Sequence, residues 1–103
     1  MVRYKTSETH AEANAALVRA VFEELRSRAP AALRYATYRL TDGVTFVHIA
    51  TIDTPGENPL VVLPAFKEFQ RQLKDRCVEP PVVTEMSTVD SYGSGRLSLA
   101  AGA

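Results

Sequence analysis

The stretch "LRYATYRLTDGVTFVHIATI", Leu33 to Ile52, decides the fold. Two runs rich in β-branched and aromatic residues, Leu33 to Leu40 and Val44 to Ile52, flank Asp42-Gly43. The pattern predicts two strands joined by a hairpin, with Asp-Gly supplying the positive φ that a tight primed turn needs at both central positions. If Leu40 pairs with Thr45, then Thr37 lies opposite His48 and Arg39 opposite Phe46. Because side chains alternate along a strand, one face holds Leu33, Tyr35, Thr37, Arg39, Phe46, His48, Ala50 and Ile52. The other holds Arg34, Ala36, Tyr38, Leu40, Thr45, Val47, Ile49 and Thr51. The central pairs of this second face, Ala36 with Ile49 and Tyr38 with Val47, predict a floor for helices. The first face mixes aromatics with Thr, Arg and His, which suits a cavity or a partner surface.

Outward from the hairpin, Val2 to Thr6 alternates and predicts a first strand. Thr9 and Glu12 stand at capping-box spacing, so a helix is expected from Thr9 or His10. Leu17, Val18, Val21, Phe22 and Leu25 form its apolar stripe, and Pro30 ends it. Arg19 with Glu23 and Glu24 with Arg28 are spaced for ion pairs on its outer surface. After the hairpin, Thr54 to Glu57 reads as a loop, and Asn58-Pro59 as the cap and first residue of a short turn. A second helix is expected from about Pro64 to Arg76, with Phe66, Phe69 and Leu73 inward. Pro80-Pro81 punctuates, and Val82 to Asp90 reads as a last strand. Residues 1–92 are expected to form one domain and 93–103 a flexible C-terminal tail.

Composition narrows the function. The chain has 103 residues, 46% of them apolar and 23% charged, an ordinary balance for one folded domain. Twelve Lys and Arg balance twelve Asp and Glu, which argues against a polyanion-binding role and so against nucleic acid as a partner. Cys77 is the sole cysteine, so an internal disulfide and a thiolate-rich zinc site are excluded. The two histidines, His10 and His48, are far apart and match no metal-ligand spacing, so neither metal nor cofactor is expected. No apolar signal region follows Arg3 and Lys5, and no run approaches a membrane span. A cytoplasmic protein without a membrane partner is expected.

The order βαββαβ predicts a ferredoxin-like α+β fold, a four-stranded antiparallel sheet with two helices on one face. The opposite face would be too apolar to leave in water. A second copy is the simplest cover, so a homodimer is expected, with the His48 face pressed against its counterpart and the imidazole enclosed between sheet and sheet or between sheet and helices.

With that order in view, the string "FVHIATID…NPLVVLPAFKEFQ" resembles the third strand and second helix of the dimeric α+β barrel superfamily, especially the antibiotic biosynthesis monooxygenase-like domains. Its Pro64-Ala65-Phe66-Lys67-Glu68-Phe69 segment matches their "P-x-F-x-x-F" helix start. The resemblance covers roughly Val2 to Asp90 and implies a homodimer with the sheets facing across a barrel. The chain departs from the haem-degrading branch, having no tryptophan and no histidine near Phe66 to Phe69.

The resemblance also implies a chemistry: cofactor-independent oxygenation of a small aromatic or polyketide-like substrate, whose own carbanion or phenolate reduces oxygen. His48 would be the base, Tyr35 and Phe46 the walls, Thr37 a polar neighbour and Arg39 the anion stabiliser. Each has a plainer reading. His48 would be a core histidine bonded to a threonine, Arg39 a rim arginine paired with an acid such as Asp42, and Tyr35 and Phe46 interface packing. Cys77 reads as a buried small apolar residue. The alternative function is a non-enzymatic small-ligand-binding or interaction domain of the same fold. A more distant one is an RNA-recognition-motif-like binder, in which Val44, Phe46 and His48 would stack on single-stranded bases.

Overall fold

In the computed structural model, which describes residues 1–52 and 58–93, four strands form one antiparallel sheet: β1 (Val2–Thr6), β2 (Leu33–Arg39), β3 (Thr45–Ile52) and β4 (Cys77–Val83). Their spatial order is β2-β3-β1-β4. Three helices, α1 (Ala11–Arg28), α2 (Pro64–Gln70) and α3 (Leu73–Arg76), complete the chain, with short 3-10 turns at Glu8–His10 and Pro59–Val62. The fold is α+β and ferredoxin-like, as the element order predicts. No described helix is long and apolar enough to cross a membrane.

The hairpin register holds residue for residue. Thr37 pairs with His48, Arg39 with Phe46 and Tyr35 with Ala50. The turn differs from a primed one. Gly43 takes the left-handed conformation at φ +79°, whereas Asp42 does not, and Gly43 N–H closes the turn onto the Leu40 carbonyl at 2.9 Å. Asp42 is kept for its carboxylate instead: it accepts from the Val44 and Thr45 amides at 3.0 and 2.9 Å and from the Thr45 hydroxyl at 2.5 Å. That hydroxyl, and then the two amides, hold its carboxyl down at about 2. One local carboxylate thus fixes the register.

The two sheet faces are exchanged relative to expectation. The core gathers Tyr4, Val18, Val21, Phe46, Leu63 and Phe69, with Tyr35 and Phe22 packed against it, so the helices lie on the His48 face. The surface of Ala36, Tyr38, Val47 and Ile49 lies on the sheet's other side. His48 is only 5% exposed, covered by its own chain, and it does not face a partner. The prediction failed because His48 counted as too polar for a helix-covered core, while its polar atoms are satisfied there by groups from other elements. Phe46 and His48 are equally closed to stacking on nucleic-acid bases.

Several boundaries also move. The Thr9–Glu12 capping box does not form: α1 starts at Ala11 after the 3-10 turn, and its cap residue His10 makes no side-chain cap hydrogen bond. Ser7 Oγ instead meets His10 Nδ1 at 2.6 Å. Glu24, placed on the outer surface by its spacing, does pair with Arg28 at 3.5 Å, but it also accepts from Ala65 N–H at 2.9 Å, capping the start of α2. The expected helix from Pro64 to Arg76 breaks at Arg71-Gln72. The last strand begins at Cys77, not Val82, and runs through Pro80-Pro81. Prolines are tolerated because β4 is an edge strand, and its pairing with β1 is interrupted by register shifts. Cys77 opens that strand beside Thr6 and is only partly buried. The loop at Thr54 to Glu57 and the tail beyond Gly93 lie outside the described residues.

Candidate functional site

The site is a buried polar chain that ends at a groove. It begins with Arg76, the last residue of α3, seven residues after Phe69 across the helix break and 7% exposed. Where the helix breaks, Arg76 Nη2 donates to the Phe69 carbonyl at 2.7 Å, and the guanidinium lies 5.4 Å from the Phe69 ring centroid. Its Nε donates to Asn14 Oδ1 at 3.0 Å. No carboxylate is among these partners. Burial lowers the Arg76 pKa, and the charge is carried by carbonyl oxygens and an aromatic face.

Asn14 belongs to the buried stripe of α1, one turn before Val18, and is 0% exposed. Its Nδ2 donates to Tyr4 Oη at 2.9 Å. Tyr4, on β1, points to the same side of the sheet as Phe46, its pairing partner on β3, and the two rings stack with centroids 5.6 Å apart. The Tyr4 hydroxyl meets His48 Nε2 at 2.7 Å. On the far side of the imidazole, Nδ1 meets the Tyr35 hydroxyl at 2.6 Å and the Thr37 hydroxyl at 3.0 Å. Among the described residues, every buried side-chain nitrogen and oxygen has a hydrogen-bond partner.

Burial pushes the His48 pKa down to about 4, so the ring is neutral at physiological pH. Burial also raises Tyr35 to about 12, against the opposing pull of its hydrogen bond with Thr37, and raises Tyr4 further. All three groups therefore stay in their uncharged forms. They are donors and acceptors in place, not carriers of charge.

Tyr35 and Thr37 lie on β2, the sheet edge, and form one wall of a groove of about 620 Å³ between that strand and α1. Ala15, Val18 and Phe22 of α1 form the apolar wall, with Phe46 also contributing to the lining. Phe22 stacks on Tyr35 with ring centroids 5.1 Å apart. Arg19, Glu23, Arg26 and Arg39 supply the charged part of the lining. Arg39 does not pair with Asp42: it donates through Nε to the Gly43 carbonyl at 2.7 Å, lies over Phe46, and pairs with Glu12 at 2.8 Å.

The structure thus brings Tyr35, Thr37, Arg39 and Phe46 together around the groove and sets His48 behind its wall, with both ring nitrogens engaged. Tyr4, Asn14 and Arg76 were missed by sequence reasoning. A signal existed: Asn14 and Arg76 each interrupt an apolar helical stripe at a position that periodicity marks as inward. No three His, Cys, Asp or Glu side chains come together among the described residues in a way that would hold a metal ion.

Comparison of the chain with protein-family models, with curated proteins and with solved structures finds no match.

Proposed function

We propose that this protein is a small-ligand-binding domain of ferredoxin-like fold, with the groove between α1 and β2 as its site. One observation carries the reading: a groove of about 620 Å³ with an apolar wall and two hydroxyls, Tyr35 and Thr37, anchored from behind by one imidazole. Small-molecule sites fall in this size range, and here an apolar wall meets a rim of charged side chains. The stacked rings of Phe22 and Tyr35 offer an aromatic ligand an apolar surface at the groove, and the arginines favour one that carries negative charge. The test is amide chemical-shift mapping with a panel of small aromatic acids and phenols. Shifts clustered at Val18, Phe22, Tyr35 and Thr37 are expected; scattered shifts, or none, would refute a groove site.

A second reading is favoured by the neutral imidazole beside the groove. In it the domain is a cofactor-independent monooxygenase of the antibiotic biosynthesis type, within the dimeric α+β barrel superfamily, as the sequence resemblance implies. His48 would act through Tyr35 and not on the substrate directly, because both its nitrogens are engaged inside the protein. With a pKa near 4 it is a weak base, which is why binding ranks first. Oxygen uptake with an anthrone-type substrate separates the two readings: turnover lost in Tyr35→Phe supports the oxygenase, and binding without uptake supports the ligand-binding domain.

The proposal includes a homodimer formed through the sheet. The face offered to the second copy is that of the half-buried Tyr38 and Val47, opposite the helix-covered face.

A further inference from the structure

We propose that the groove selects ligands that present an acceptor oxygen (carboxylate, phenolate or enolate) on an aromatic body, through a surplus proton held by the Tyr35 and Thr37 hydroxyls. The inference rests on the groove being a small-molecule site. The proton count starts far from the groove, at Arg76. A guanidinium can only donate, so its Nε turns Asn14 Oδ1 toward itself and leaves Asn14 Nδ2 for Tyr4. Tyr4 Oη, having accepted that bond, has one proton to give, and His48 Nε2 at 2.7 Å takes it. The reverse assignment, with Nε2–H donating, would strand the Tyr4 proton in the core, where an unpaired donor is costly. Nε2 is therefore the lone-pair nitrogen, and the neutral ring carries its proton on Nδ1.

Nδ1–H faces two oxygens, Tyr35 Oη and Thr37 Oγ1. That trio contains three protons, one on nitrogen and one on each hydroxyl. Nδ1 has no lone pair to offer, so the N–H finds an oxygen and one hydroxyl donates to the other. The remaining O–H has no acceptor within the trio, and both hydroxyl residues line the groove. A ligand oxygen that accepts there completes the chain; a ligand ammonium group can reach only a remaining lone pair of a hydroxyl oxygen and leaves the surplus proton without an acceptor. Arg19 and Arg26 in the same lining reinforce the preference for an anion against the carboxylate of Glu23, while Arg39 is already paired with Glu12. His48, Tyr4, Asn14 and Arg76 are positioning residues here: they set which way the last proton points.

The test has a ligand-free arm and a binding arm on the full chain. Nitrogen NMR of the imidazole should show His48 protonated at Nδ1 and unprotonated at Nε2; an Nε2–H tautomer overturns the proposal. In titrations, naphthoate should bind at least roughly tenfold tighter than methylnaphthalene and naphthylmethylammonium. In Tyr4→Phe, which leaves the groove lining intact but unlocks the tautomer, the ratio of naphthoate to methylnaphthalene affinity should fall. Methylnaphthalene or naphthylmethylammonium binding as tightly as naphthoate overturns the acceptor rule while leaving the groove as a site. Absence of binding by all three refutes the groove reading and the inference together.

Discussion

At the scale of single residues, the structure turns on how a histidine stays buried. Its ring centroid lies 5.3 Å from that of Tyr4, 5.2 Å from that of Phe69 and 5.9 Å from that of Tyr35. Three hydroxyls absorb its polarity, and the aromatic rings absorb its surface. The burden appears as pH dependence. The folded pKa of about 4 lies below the ordinary value of 6.5, so the unfolded chain takes up the proton first as pH falls. Stability from this group is complete above about pH 6.5, declines from there toward pH 4, and levels off below. The shift corresponds to about 3 kcal/mol across that window. Urea denaturation of wild type and His48→Gln at successive pH values should show the wild-type advantage shrinking between about pH 6.5 and 4. A constant difference would mean that the imidazole is not held neutral by burial.

At the scale of elements, each connection shows a local device fixing a long-range consequence. The carboxylate of Asp42 fixes the register of β2 on β3, and that register places both Thr37 and Tyr35 within reach of His48. Glu24 ties α1 to the first turn of α2. Arg76 accepts the consequence of the α2–α3 break, donating to the Phe69 carbonyl left near it. One device is suboptimal. Ala29 closes α1 in the left-handed conformation at φ +46°, with its N–H on the Leu25 carbonyl at 2.7 Å. A Cβ is strained in that region and glycine is not. Ala29→Gly should therefore stabilise the protein by about 0.5–1 kcal/mol, read as a higher Tm with an unchanged circular dichroism spectrum. A lower Tm would mean that the added chain entropy outweighs the relieved strain.

At the scale of the whole molecule, the exchange of faces changes what a second copy would touch. The imidazole face is filled by the chain's own helices, so self-association leaves the other face as the contact surface. There Tyr38 and Val47 sit directly opposite each other and are half-buried. On β4, Val82 is 60% exposed and Val83 is 74% exposed, an apolar edge a lone chain would leave in water. Sedimentation velocity of wild type at micromolar concentration should give a dimer, and Val47→Lys should shift it to a folded monomer. A wild-type monomer, or a Val47→Lys dimer, would remove the sheet face from consideration.

The sequence by itself determined the element order, the hairpin and its register, and the α1 stripe, because these depend on short-range periodicity and on residues a few positions apart. It also placed Tyr35, Thr37, Arg39 and Phe46 with His48 on one face, since alternation in a strand is fixed by backbone geometry. It did not determine which face the helices cover. The pattern marked the Ala36, Tyr38, Val47 and Ile49 face as the floor for helices and only the His48 face as mixed. The outcome was reversed by Tyr4 from β1 and Asn14 from α1, which meet in the core beside the imidazole only when the sheet and helix pack. The break after Gln70 and the strand through Pro80-Pro81 were decided in the same way, by a buried guanidinium and an edge position that local propensity does not register. Local patterns state what each segment prefers; the satisfaction of buried polar atoms across segments decides how those preferences combine, and that sum is taken only in three dimensions.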